Sequence, residues 1–151
     1  MEYEQLKLEN QLCFPFYAVS RLITRAYQDD LDELGITYPQ YLVMLVLWEN
    51  DDLTVNEIAE KLILNTNTIT PLLKRMEAMD LLTRTASKTD QRKVRVTLTA
   101  QGKTMQESAS EIPFKLMKKL NIEPSESQLK DSIDLKNKLN DLIKLLKNTE
   151  K

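Results

Sequence analysis

The chain has 151 residues, 42% apolar and 29% charged, with a net charge of −2; this is the profile of one ordinary globular domain with room for a sizeable core. It holds no histidine, one cysteine and two glycines, which removes the usual general base and metal ligand, an internal disulfide framework and the dinucleotide and P-loop fingerprints. No apolar run approaches the ~18 residues of a membrane span, and the start, MEYEQLKLEN, lacks a secretory pattern. The expectation is a cytoplasmic binding or sensing protein, not an enzyme, with no cofactor, metal or membrane partner.

Gly and Pro are too scarce for an all-β fold, and helix starts dominate. Thr37-x-x-Gln40, Thr54-x-x-Glu57 and Ser125-x-x-Gln128 fit capping boxes, and Thr99 is a fourth N-cap. The first helical segment spans about residues 6–34, with Leu12, Phe16, Val19, Ile23 and Ala26 on one face. Pro15 inside it predicts a kink or a fresh start near residues 11–14, and Gly35 is a natural stop. Thr37 to Asn50 is apolar almost all round and reads as a central buried helix. Two shorter helices follow, Thr54 to about Leu62 and about Asn65 to Asp80. The period then changes to alternation in LLTRTA and KVRVTLT, with Val94, Val96 and Leu98 on one side and Arg95 and Thr97 on the other. This predicts a single β-hairpin as the only sheet. Helices over about 100–121 and 125–148 complete the chain. In the last, Leu135, Leu139, Leu142 and Leu146 have the spacing a helix also uses to pack on a partner chain.

Overall acidity hides an asymmetry. Between Lys61 and Lys103 stand nine basic residues (Lys61, Lys74, Arg75, Arg84, Lys88, Arg92, Lys93, Arg95 and Lys103) against Glu77, Asp80 and Asp90. That stretch carries +6 and the remainder −8, within a chain total of −2. Such a surface suits a polyanion, although a solvated mixed-charge face would read the same way. Two short helices followed by a basic hairpin have the order of a winged helix-turn-helix, with Ala59, Ile63, Ile69 and Leu72 spaced to let the helices cross. Position 63 is unusual, because a glycine commonly stands in that turn. The second helix opens with NTNTIT, small hydrogen-bonding side chains that cap a helix and can also approach base edges in a major groove ~12 Å wide. Lys74 and Arg75 follow one turn later, where phosphates would pass. Lys88, Arg92 and Lys93 at the hairpin tip could reach a minor groove. Asp90, two residues from Arg92, makes sense as an intramolecular partner that aims it.

NTNTITPLLKRMEAMDLLTRTASKTDQRKVRVTLTAQG resembles the recognition helix and wing of the MarR family of bacterial transcription regulators, through TxTPLLKRME, a DxR wing tip and LTxxG. LCFPFYAVSRLITRAY and GITYPQYLVMLVLWE are similar to the one-cysteine peroxide sensors of that family. The resemblance covers about residues 8–105, and the last two helices by pattern. It implies a mainly α fold with a small β-hairpin wing: a winged helix-turn-helix over 37–99 (recognition helix about 65–80, wing about 81–98) and a helical dimerisation region over 1–36 and 100–151. It further implies an obligate, triangular homodimer with the first, fifth and sixth helices at its interface. Such a dimer would repress oxidative-stress genes from pseudo-palindromic double-stranded operator DNA and be released by organic peroxide or another oxidant. Carried over by position, Cys13 is the reactive thiol, Tyr27 and Tyr38 bond its sulfur, and Tyr17 is a further wall. Asn65, Thr66, Thr68, Thr70, Lys74 and Arg75 line the recognition helix, and Asp90 and Arg92 form the wing-tip pair; Arg84, Lys88 and Lys93 complete the DNA-contacting set. Two departures stand out. Pro15 replaces a usual helix former beside Cys13. There is no second cysteine to resolve the oxidised sulfur from the other subunit, which leaves a sulfenic acid, a mixed disulfide with a low-molecular-weight thiol, or an overoxidised form.

Taken alone, a cysteine between Leu12 and Phe14 is most often a buried, inert small hydrophobe. Against that, Pro15 suggests a helix start nearby, and helix N-termini lower thiol pKa. Buried tyrosine hydroxyls also need partners. Tyr27 lies 14 residues beyond Cys13, which is ~21 Å along one helix, so any Tyr27–Cys13 contact must come from a second chain. Three alternatives stay open: a repressor controlled by a small aromatic ligand in the dimer pocket, a thiol peroxidase, and an adaptor whose basic hairpin docks on an acidic protein.

Overall fold

Capping residues set most of the helix boundaries in the computed structural model, which describes residues 3–87, 90, 92–122 and 125–149. The chain divides into two compact units, Met1–Ile112 and Pro113–Lys151. In the first, two 3-10 turns, Glu4–Leu6 and Leu8–Asn10, lead into α1, Cys13–Ala26. The fresh start expected near residues 11–14 is therefore present. It puts Pro15 in the first turn, where its missing N–H breaks no helical bond. A second break at Tyr27 separates α1 from α2, Gln28–Glu33. Gly35 ends this segment at φ +68°, with its N–H on the Asp32 carbonyl (3.0 Å) and that of Ile36 on Leu31 (3.1 Å). Only glycine adopts that conformation without strain.

Helix α3, Tyr38–Glu49, is central, with Tyr41, Val43, Met44, Val46 and Leu47 buried. Gln40 closes its N-terminus by accepting the Thr37 N–H at 2.8 Å. The helix-turn-helix is α4, Val55–Leu62, and α5, Thr66–Ala78. Thr54 caps α4 in a reciprocal box with Glu57, and Asn65 caps α5 by accepting the Thr68 N–H at 2.9 Å; each cap stabilises by about 1 kcal/mol. Ala59, Ile69 and Leu72 are buried where the two helices meet, but Ile63 is 52% exposed. Its expected packing role is corrected by its backbone: at φ 55° it is the left-handed residue that ends α4, and its side chain points away from the crossing.

The hairpin is β2, Leu82–Ala86, and β3, Val94–Leu98, in the register Leu82↔Leu98 to Ala86↔Val94. Val96 and Leu98 face the core and Thr97 bonds Thr83 across the pair (2.8 Å), in keeping with the alternation. It is not the only sheet pairing, however. A two-residue β1, Leu53–Thr54, adds to β3 and makes three antiparallel strands in the order β1-β3-β2. Two residues are too few to show a period. After Thr99, α6 spans Ala100–Ala109. A Cβ on Gly102 would lie 2.0 Å from the Leu81 carbonyl oxygen, so this position needs a glycine for close approach. The helix expected over 100–121 is broken: α7 starts at Ile112 because Pro113 can neither donate to nor clear the carbonyl four residues back.

One core serves the first unit, built from Leu31, Met44, Leu47, Ile58, Ile69, Leu73, Met76, Leu81, Leu82 and Val96 among others. Each such side chain contributes about 1.5–3 kcal/mol on burial. The second unit contains α8, Glu126–Thr149, capped by Ser125 on the Gln128 N–H (3.2 Å). Neither α1 nor α8 has a buried residue. Among the described residues no helix is long and apolar enough to cross a membrane.

Candidate nucleic-acid interface and sensing site

Threonines at the start of α5 and basic residues of the hairpin share one face. Thr66, Thr70, Arg84, Arg92 and Lys93 line an open groove of about 470 Å³ between α4, α5 and the wing. Asn65 and Thr68 are joined to each other: the Asn65 Oδ1 also accepts the Thr68 hydroxyl at 2.9 Å. Lys74 and Arg75 are exposed further along α5. At the wing tip Asp90 accepts the Arg92 N–H (3.1 Å) and Nε (3.2 Å), the pairing anticipated for this acid. Those bonds hold the Asp90 carboxyl below its usual range. Lys88 lies outside the described residues.

The three arginines of the hairpin differ in freedom. The Arg92 side chain is 91% exposed. That of Arg84 is 21% exposed, and its Nε (2.9 Å) and Nη2 (2.7 Å) are both on the Glu77 Oε2. Arg95 donates through Nε to the Asp52 Oδ1 (2.6 Å) and through Nη2 to the Asp52 backbone carbonyl. Glu77 and Asp52 are residues that the sequence reading left without a role. The available signal was the presence of acids within and before a basic stretch, but Glu77 and Arg84 are on different elements and Asp52 is 43 positions from Arg95.

Cys13 is an exposed free thiol at the first residue of α1. Tyr17 follows one helical turn later; its hydroxyl accepts Arg21 Nη1 at 2.9 Å and its ring lies under that guanidinium. Tyr27 stands at the other end of α1, about 21 Å away by helical rise. There it meets Tyr38 at 5.1 Å and Tyr41 at 5.9 Å between ring centres, and Tyr41 contacts Trp48 edge-on at 6.3 Å. Trp48 in turn donates to the Gly102 carbonyl at 2.9 Å. Burial raises all three tyrosine pKa values, with mutual repulsion adding at Tyr27 and Tyr41. Their hydroxyls therefore remain protonated donors at neutral pH. Within one chain the fold brings Tyr27 and Tyr38 together, and Cys13 with Tyr17, as two separate groups. Among the described residues no cluster of side chains could hold a metal ion.

A capped helix pair followed by a hairpin with an exposed arginine at its tip defines a winged helix-turn-helix protein. The chain belongs to the SarA/Rot family of transcriptional regulators, which is MarR-like, the family match covering residues 25–109. It is 50% identical over 112 residues (74% of this chain, 76% of the relative) to an organic hydroperoxide resistance transcriptional regulator of Bacillus subtilis. It is 35% identical over 128 residues (85% and 86%) to the HTH-type transcriptional regulator SarZ of Staphylococcus epidermidis. Among solved structures, reduced AbfR bound to DNA matches with a TM-score of 0.79 and 37% identity over 97% of this chain and 99% of that one.

Proposed function

We propose that the chain is a cytoplasmic, homodimeric, redox-sensing repressor that releases operator DNA when Cys13 is oxidised. The observation that carries this reading is the setting of Cys13. It is an exposed thiol at the start of a helix without one buried residue, whose Phe16, Val19 and Ile23, like Leu12 just before it, are all at least 40% exposed. A second copy covering that side would put the sulfur at a subunit seam, within reach of the partner's tyrosine hydroxyls. The Bacillus subtilis relative bears the name of an organic hydroperoxide regulator, and reduced AbfR, a structural relative, has been solved on DNA.

In the reduced dimer the two recognition helices would sit about one DNA turn apart, ~34–36 Å. The Asn65, Thr66, Thr68 and Thr70 end of α5 meets base edges while Lys74, Arg75, Arg92 and Lys93 meet phosphates. Lys88 is proposed for the same role. The Cys13 thiolate attacks the O–O bond of an organic hydroperoxide. Sulfur loses two electrons and becomes sulfenic acid, and the peroxide leaves as the alcohol. Sulfenic acid, or its mixed disulfide with a low-molecular-weight thiol, adds polar bulk to a packed seam, and such seams shift between discrete arrangements. A coupling of ~3 kcal/mol is enough to weaken DNA binding about 150-fold.

Gel shifts on a duplex selected by the protein from a random pool, with mass spectrometry of Cys13, test this. Cys13→Ser is expected to bind that duplex but to ignore cumene hydroperoxide. Release of Cys13→Ser by peroxide would overturn the sensor. Release of that variant by a small aromatic compound would favour a ligand-controlled repressor instead.

A further inference from the structure

The wing is held from both sides by carboxylates. On one side, Glu77 of α5 accepts the Arg84 N–H at 2.9 Å, its Nε at 2.9 Å and its Nη2 at 2.7 Å, so the recognition helix grips β2 through backbone and side chain together. On the other, Asp52 of the α3–β1 loop accepts Nε of Arg95 on β3 through its carboxylate Oδ1 (2.6 Å) and Nη2 through its backbone carbonyl. The neighbouring Asp51 accepts the Leu98 N–H at 2.8 Å and pairs with Lys103 at 3.2 Å. A planar guanidinium bonded at two nitrogens fixes orientation as well as distance. Arg92, at the hairpin tip beyond these grips, is the exposed hairpin arginine, and it pairs with its own neighbour Asp90.

We propose that Glu77 and Asp52 are wing-positioning residues: through Arg84 and Arg95 they hold the hairpin at a set distance from α5, so that Arg92 and Lys93 meet phosphates in step with Thr66 and Thr70. Arg84 thereby acts through the wing and not on DNA. The inference rests on the DNA-binding reading above, and wild-type binding to the selected duplex is the control that separates the two. An arginine used as a point charge on phosphate tolerates lysine, whereas a two-nitrogen grip on a carboxylate does not.

The test measures binding of wild type, Arg84→Lys, Glu77→Gln and Arg92→Ala to that duplex across a salt series, together with amide exchange of the free proteins. Arg84→Lys and Glu77→Gln are expected to bind on the order of tenfold more weakly, with a shallower salt dependence like that of Arg92→Ala. Adding Arg92→Ala to either should cost little more, since the wing contact is already lost. In the free proteins the amides of β2 and β3 should lose protection while those of α3 keep it. Arg84→Lys binding as wild type does, or Glu77→Gln binding more tightly with a steeper salt dependence, would show Arg84 to be a phosphate contact and overturn the proposal. Should Glu77→Gln lose α3 protection as well, Arg84→Lys alone decides the matter.

Discussion

Ile63 is held in the left-handed region, where its β-branched side chain crowds the backbone at a cost of roughly 1–2 kcal/mol. Because the side chain is about half exposed, little apolar burial offsets this. Ile63→Asn is expected to raise the unfolding midpoint by about 3 °C for roughly 1 kcal/mol of relieved strain. A lower midpoint would show that the isoleucine is covered by something beyond its own chain. The tyrosines give a pH prediction with a definite sign. Tyr27, Tyr38 and Tyr41 have folded pKa values raised above the ordinary 10.0. Between that value and the raised ones the folded chain binds more protons than the unfolded one, so stability falls as pH rises. Their contribution is complete below pH 10 and lost as pH climbs through the folded values. Urea midpoints at a series of alkaline pH values should fall earlier for wild type than for Tyr27→Phe, which removes one of the coupled hydroxyls.

At the scale of elements, α5 and the wing have separable tasks. Arg92→Ala should weaken binding to most sequences and lower the salt slope by about one per protomer, whereas Thr70→Ala should change the preference among sequences. Binding measured on a panel of duplexes at two salt concentrations checks both, and the opposite pattern would exchange the two assignments. Element identity was largely legible because helix starts carry their own chemistry. Thr54 with Glu57, Asn65 with Thr68, and Thr99 with Gly102 all form the local bonds their spacing suggests. Three features escaped, the break at Tyr27 between α1 and α2 among them. Strand β1 exists only because β3 offers it an edge, which no local pattern records. The α6–α7 break was written in Pro113, but a helical pattern on both sides of it concealed the stop.

For the whole molecule, the apolar helices left uncovered in each unit are the main physical fact. In the first unit α1 exposes Phe16, Val19, Leu22 and Ile23, with Leu12 just before it; in the second, α8 exposes Leu129, Ile133, Leu135, Leu139, Ile143, Leu145 and Leu146. Contiguous faces of this kind belong to interfaces. Val19→Asp is expected to convert a dimer into a monomer in sedimentation equilibrium and to abolish tight operator binding. The wild type's melting temperature, but not the variant's, should rise with protein concentration. A wild type that sediments as one chain at micromolar concentration would remove the seam on which the sensing proposal depends.

By itself the sequence determined the helix starts, the buried α3, the alternating hairpin and the positive charge gathered between Lys61 and Lys103, because capping, periodicity and charge act between residues close along the chain. It also marked Cys13 and the tyrosines by type. Only the tertiary structure decided which hairpin arginine stays exposed. Arg84, Arg92 and Arg95 are equivalent as letters; long-range packing sets Glu77 against the first and Asp52 against the third, and leaves the second exposed with its sequence neighbour Asp90. It likewise gathered Tyr27, Tyr38 and Tyr41 into one cluster and left Cys13 at the far end of α1, since contacts between elements depend on where the common core draws each helix and strand.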